Sequence, residues 1–366
     1  MSRTIKNCFY KNLTFEKMYS AHIRARKGKV LKSEVIKFEI DLENNIINLI
    51  NKIKNGSYKL GKYHTFFVYE PKKREIKSLP YIDRVVHQWY VEEFIKPYFL
   101  PRFITTTYAC IDDRGTHSAV NCAQKYLRLA KQNFGNDYWI LKCDIKKFFY
   151  SIDQQILFDI LKKYISDKKL LEFSKLLIFD NEEKNGIGIP IGNYTSQFFA
   201  NIYLNELDKY AKYTLKQKYY LRYMDDFLFI VKTKEDAKII KAKVEDFIHN
   251  NLKLELNHKS RYYPAHFGIN FCGFRIFETH RLVRKSCKKK INKNIKNWNK
   301  LWENNKLDYN QMQMSINSWL GHVKHANSYK LTQKIFKKCK FLYTDDLYEK
   351  DILKLEKMID YQYFNN

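Results

Sequence analysis

An α+β fold, with a mixed sheet covered on one side by helices, is predicted by three features of this 366-residue sequence. Strand-like and helix-like segments alternate over residues 138–277. Two short apolar strands meet in a tight turn within 219–231 (YYLRYMDDFLFIV). Between these strands, apolar residues recur every three to four positions, the period of a helix with one face turned inward.

The elements follow in order. Phe38, Leu42, Ile46, Leu49 and Ile53 predict one amphipathic helix that stops near Asn55-Gly56. A strand over 64–70 then runs into the basic turn 71–75, giving a short basic hairpin. The run YWILKCD at 138–144 reads as a buried strand. Ile156, Leu157, Ile160, Leu161 and Tyr164 mark one helix face, with Ser151 or Asp153 available as its cap. Ala200, Leu204, Leu207 and Ala211 mark a second helix, and Ala237, Ile240, Val244, Phe247 and Ile248 a third. From Arg281 to Lys300 there are nine basic residues and no acid. Ile291, Ile295 and Trp298 make this segment a helix with one apolar seam and a basic remainder.

Composition narrows the partners. Lys and Arg outnumber Asp and Glu 67 to 39, a net charge of +28, so an anionic partner is expected to lie along the surface. Nucleic acid fits; a membrane surface would call for an amphipathic anchor or a long apolar stretch, and neither is found. The 28 Tyr and 26 Phe supply stacking faces as well as core. Solvated charged faces usually interleave both signs, so the acid-free segment 281–300 reads as a phosphate-tracking surface. Seven Cys without a CxxC pair give neither a disulfide framework nor a zinc site. Cys110, Cys143 and Cys272, flanked by apolar residues, read as small buried side chains. The first twenty residues lack the apolar run of a signal peptide, and the cytoplasm is the expected compartment.

Asp225 and Asp226 sit at the tip of the apolar hairpin, where adjacent carboxylates repel and lose solvation unless cations compensate them. Turns also favour Asp for local hydrogen bonding, so the pair alone is weak. Asp144 strengthens it, because it ends a second buried strand. Three carboxylates brought together suffice for two divalent ions about 4 Å apart, and magnesium prefers such oxygen ligands.

Here the sequence resembles a known family. Tyr223-Met-Asp-Asp226, preceded by Asp144 in a strand, looks like the core of reverse transcriptases. Further blocks occur in that family's order: Arg74-Glu-Ile-Lys-Ser-Leu-Pro80 with Asp83-Arg-Val-Val86, Ile189-Pro-Ile-Gly-Asn-Tyr-Thr-Ser-Gln197, Leu254-Glu-Leu-Asn-His-Lys259 and Phe271-Cys-Gly-Phe274. The resemblance implies a right-hand polymerase fold: an N-terminal extension and fingers over 1–136, a palm over 137–278 with a fingers return around 166–192, and a helical basic thumb over 279–366. No room is then left for a ribonuclease H, protease, integrase or endonuclease domain.

The resemblance also implies residue roles. Asp144, Asp225 and Asp226 are catalytic and, with Ile145, form the set for two Mg2+ ions, with Mn2+ as a substitute. Lys72, Arg74, Phe149, Ile191, Gly192 and Lys259 meet the deoxynucleoside triphosphate, with Phe149 as the steric gate against a ribose 2′-hydroxyl and Arg84 assisting. Phe271, Cys272, Gly273 and Phe274 form the primer grip. Gln197, Arg284, Lys285, Lys288, Lys289 and Lys293 contact nucleic acid.

Within the family, Ile191 stands where most members carry Gln. The Ile-Gly-Asn-x-x-Ser-Gln block resembles the enzymes of diversity-generating retroelements, as do Tyr108-Ala-Cys110, Gly115-Thr-His117, His280-Arg-Leu282, Ser318-Trp-Leu-Gly-His322 and His325-Ala-Asn327. This implies cDNA synthesis from a template RNA with misincorporation opposite adenine, and a small basic oligomeric accessory variability protein. A retron-like or phage-defence reverse transcriptase is the alternative. His280, His322 and His325 lack a Cys or acidic cluster and read as capping or RNA-contacting residues rather than a zinc site.

Overall fold

The computed structural model describes residues 4–69, 73–179 and 184–342. Lys72, and the part of the expected first strand at Glu70, lie outside the described residues. Among the described residues, those within 1–115 and 141–262 form one compact unit, and those within 116–140 and 263–366 a second.

Nine strands are described: β1 His64–Val68, β2 Arg74–Ser78, β3 Trp139–Asp144, β4 Tyr220–Tyr223, β5 Asp226–Val231, β6 Arg261–Pro264, β7 Ile269–Phe271, β8 Phe274–Ile276 and β9 Arg281–Val283. They make three sheets: β1-β2, the four-stranded order β4-β5-β3-β6, and β7-β8-β9. The α+β class expected from the sequence is the one found, and β4 and β5 form the expected antiparallel hairpin, with Tyr223 opposite Asp226.

In the first unit the centre is the helix Tyr194–Lys209, whose buried residues include Phe198, Phe199, Ile202, Leu204 and Leu207. Its buried residues cover nearly every side and include the polar Thr195, Ser196, Asn201, Asn205 and Asp208, so the helix runs inside the core with polar groups that need internal partners. It widens into a π-turn over Tyr210–Thr214, so Ala211 is buried beyond the α-helical end. Trp89 is fully buried against the rings of Phe9, Phe94 and Phe173 at 5.8, 5.1 and 5.6 Å. The helix expected across 38–53 is two helices, Ser33–Ile40 and Leu42–Lys54, because Asp41 takes φ −130 and ψ 54 and breaks the ladder between them. The helix Gln154–Lys162 is capped by Asp153, which accepts from the Ile156 amide at 2.9 Å, rather than by Ser151.

In the second unit the helices Lys285–Glu303, Tyr309–Val323 and Tyr329–Phe336 bury Ile291, Ile295, Met312, Ile316, Leu320 and Ile335 together. Only the part from Lys285 of the expected basic helix is helical; 281–283 pair with β8 as a strand. Cys143 is buried as expected, whereas Cys110 and Cys272 are partly exposed. Both take positive φ, 56 and 45, in turns that keep them near the surface. Among the described residues, no helix is long and apolar enough to cross a membrane.

Candidate active site

Alternation along β3 places Lys142 and Asp144 on one face, since side chains two apart in a strand share a side. The neighbouring β5 begins at Asp226. The two-residue turn before it holds Met224 at φ 55, a left-handed conformation that a non-glycine residue adopts only when its surroundings enforce it. Asp225 follows directly.

The electrostatics are those of carboxylates short of counter-charge. Burial, then the charge of Asp144, pushes the Asp225 carboxyl above its ordinary range, while Arg74 and Lys142 pull it back. Burial pushes Asp226 up to about 6 against the opposing pull of Lys142, with Asp144 and Asp225 adding to the rise. Lys142 forms an ion pair with Asp226, whose side chain keeps 29% of its surface exposed. Asp144 accepts from the Asn257 side-chain amide at 3.0 Å. Among the described residues, no three His, Cys, Asp or Glu side chains are placed to hold one ion jointly. The three aspartates are thus electrostatic neighbours, with Asp226 turned to Lys142 and Asp144 to Asn257. Their donor chemistry still fits a hard divalent cation: oxygen ligands, with two carboxyls whose burial penalises uncompensated charge. Ile145 could contribute only backbone atoms, its side chain being buried and apolar.

A series of backbone contacts brings the other expected residues toward this point. The Ile191 carbonyl accepts from the Lys77 amide of β2 at 2.8 Å, tying the strand that begins with Arg74 to the 189–197 segment. The Ile189 amide donates to the Phe149 carbonyl at 2.8 Å and the Gly188 amide to Ile152 at 2.7 Å. Phe149 is half-buried, five residues beyond Asp144. Gly192 has φ 130, and a Cβ there would lie 2.6 Å from the Lys77 carbonyl oxygen, so the approach needs glycine. Along the other edge, the Asn257 amide donates to the Asp144 carbonyl at 2.7 Å and the Lys146 amide to Glu255 at 2.9 Å. This strap carries Lys259, which is exposed. Gln197 is also exposed and lines a cleft of about 180 Å³ with Lys96, Cys110, Asp112 and Tyr194. Arg84 is ion-paired with Glu34. A cleft of about 550 Å³, lined by Lys37, Lys62, His64, Phe66 and Tyr81 among others, contains none of the aspartates.

In the second unit, Phe271 and Phe274 are fully buried and pair across the β7-β8 hairpin. Their rings are core, whereas the Cys272-Gly273 turn between them, with φ 45 and 90, is partly exposed. Gly273 faces His322, whose Cε1 would lie 2.7 Å from an added Cβ. Arg284, Lys285, Lys289 and Lys293 are exposed and Lys288 partly so, while Ile291 and Ile295 turn inward. The rings of His117 and His325 stack at 3.6 Å and His322 stacks on Phe274 at 4.4 Å; His280 instead stacks on Phe277 at 4.5 Å.

Sequence reasoning missed two neighbours of the aspartates. Lys142 was legible in principle, lying two residues before Asp144 in a strand. Asn257 lies in the 254–259 segment, but nothing local marks its reach to a residue 113 positions away.

Comparison with known proteins gives the family. Residues 70–276, more than half of the chain, match the family model for reverse transcriptase (RNA-dependent DNA polymerase), and the chain belongs to that family. It is 24% identical over 316 residues to the group II intron-encoded protein LtrA of Lactococcus lactis subsp. cremoris, covering 67% of this chain and 51% of that protein. It is 23% identical over 216 residues to the COX1/OXI3 intron 2 protein of Saccharomyces cerevisiae, covering 40% and 25%. The chain therefore spans about half the length of the first relative and a quarter of the second. Among solved structures, the telomerase of Candida albicans in complex with a fragment of telomeric RNA superposes with a TM-score of 0.47 at 11% identity, covering 88% of this chain and 64% of that one.

Proposed function

We propose that the chain is an RNA-directed DNA polymerase that copies a template RNA into cDNA, with Asp144, Asp225 and Asp226 holding two Mg2+ ions. The observation that carries this reading is the half-buried Asp225-Asp226 pair beside Asp144, whose charge adds to the cost of ionising both. Bound magnesium would supply the positive charge that favours the primer 3′-hydroxylate and the departing pyrophosphate. The chain's own residues would orient the reactants. Arg74, with its charge felt at Asp225, faces the triphosphate, joined by Lys72 and Lys259. Phe149 closes the pocket against a 2′-hydroxyl, and Ile191 and Gly192 shape its wall. The assignment divides the hand into an N-terminal extension and fingers over 1–136, a palm over 137–278 with a fingers return around 166–192, and a helical basic thumb over 279–366. The turn at 272–273 grips the primer, and the basic face from Arg284 to Lys293 follows the duplex. Primer extension on an RNA template tests this: Mg2+-dependent extension is expected, lost in Asp225→Ala plus Asp226→Ala. Equal extension by both proteins would refute the proposed centre.

We propose further that copying is error-prone at template adenines, as in a diversity-generating retroelement, with a small basic oligomeric accessory protein as partner. Ile191 supports this reading. A branched apolar side chain cannot make the hydrogen bonds an amide would, so a mispair loses less relative transition-state stabilisation. Ile191→Gln is expected to lower adenine misincorporation; an unchanged error spectrum would remove the support.

A further inference from the structure

Beneath the turn that carries Asp225 lies a fully buried ion pair with no direct place in the chemistry. Arg222, in β4, has no exposed surface, nor has Asp208 in the Tyr194–Lys209 helix. The guanidinium meets the carboxylate at both ends, Nε to Oδ1 at 2.8 Å and Nη2 to Oδ2 at 2.6 Å. The remaining Nη1 donates to the Asn201 side-chain oxygen at 3.0 Å and to the Met224 carbonyl at 2.9 Å. Asp208 is saturated as well, accepting from the Tyr220 hydroxyl at 2.7 Å and the Thr107 hydroxyl at 2.8 Å. Asn201 donates onward to the Ala109 carbonyl at 2.7 Å. The Arg222 backbone is fixed on both sides, its amide donating to Thr106 and its carbonyl accepting from Tyr108, each at 3.0 Å.

A buried ion pair is a poor device for stability alone, because desolvation offsets most of the attraction and apolar residues of like volume often do as well. What a bidentate, fully bonded guanidinium does supply is direction, since its planar fork cannot swing without breaking several bonds at once. Here the corner of the fork that does not meet Asp208 is shared between Asn201 and the carbonyl of Met224, the left-handed residue immediately before Asp225.

We infer that Arg222 is a positioning residue: locked by Asp208 and Asn201, it holds the Met224 carbonyl and so fixes the turn that presents Asp225. The inference rests on the polymerase reading above. Misplacing a reacting group by about 1 Å can cost on the order of a hundredfold in rate, whereas the residue itself touches no substrate.

The test compares Arg222→Lys with Trp89→Phe, a core change that removes the indole hydrogen bond to the Asn12 carbonyl and touches none of these groups. A lysine keeps the charge but cannot hold Asp208 at two points and reach Met224 as well. Arg222→Lys is expected to lower kcat in primer extension about a hundredfold, to leave the deoxynucleotide KM within about threefold, and to lose most of the Mg2+-induced rise in melting temperature. Trp89→Phe is expected to lower the melting temperature while keeping kcat and the Mg2+ response. Wild-type kcat in a folded Arg222→Lys protein, or kcat losses that merely follow melting temperature in both variants, would overturn the inference. If the wild type itself does not extend a primer, the polymerase reading fails. The positioning role is then judged on the Mg2+ response alone: retained in Arg222→Lys, it is refuted; lost there but kept in Trp89→Phe, it stands.

Discussion

Asp226→Asn should make the metal-free protein more stable while abolishing the proposed primer extension. The folded protein holds Asp226 at about 6 against an ordinary value of 3.8. Between those values the native state keeps a proton that the unfolded chain has released, so wild-type stability falls as pH rises through this window and is flat above it. At about 1.4 kcal/mol per pH unit, the full effect near pH 7.5 is about 3 kcal/mol. That figure is an upper bound, because the side chain keeps 29% of its surface in contact with water. Asparagine resembles the protonated acid, so the variant should gain that stability at pH 7.5 and only about 0.5 kcal/mol at pH 4. The favourable pull of Lys142 is already contained in the value of about 6. Chemical denaturation in EDTA from pH 4 to 8 measures the difference between the two proteins, and repeating it with Mg2+ should raise the wild type more than the variant. A variant less stable than the wild type at pH 7.5 without metal, or a difference that does not change with pH, would refute the reasoning.

Other perturbations test separate parts of the site. Gly192→Ala places a methyl group 2.6 Å from the Lys77 carbonyl in a backbone with φ 130; it should break the 191–77 tie and raise the deoxynucleotide KM, read in steady-state extension. Phe149→Val should relax discrimination against ribonucleotides, seen as ribonucleotide incorporation with deoxynucleotide kcat largely kept; unchanged selectivity would return Phe149 to ordinary packing. Lys289→Ala with Lys293→Ala should flatten the dependence of log affinity for an RNA–DNA duplex on log salt by about 0.9 for each lost phosphate contact. Their exposure makes a folding defect an unexpected result.

Much of this was legible locally. The apolar run at 138–144 and the hairpin at 219–231 are strands because alternation and β-branched or aromatic content leave few other ways to bury them. The acids at their ends are fixed once the strands are. The break at Asp41 was not legible, since Phe38 to Ile53 keep a helical period across it and only packing of the two helices decides where the chain turns. The rings of Phe271 and Phe274 illustrate the same limit: their residue type suits stacking and core equally, and their complete burial is a property of the assembled second unit. Cys110 and Cys272 have apolar neighbours yet lie in positive-φ turns that hold them partly exposed.

The sequence by itself determined the α+β class, the carboxylates and the basic helix from Lys285 onward, because periodicity, residue chemistry and charge act over a few positions. Tertiary structure alone decided that Lys142 faces Asp226, that Asn257 reaches Asp144, and that Arg222 is locked beneath the Met224 carbonyl. Each of these depends on which segments lie side by side, and the direction of a buried charge is set by all the groups around it rather than by its neighbours in the chain.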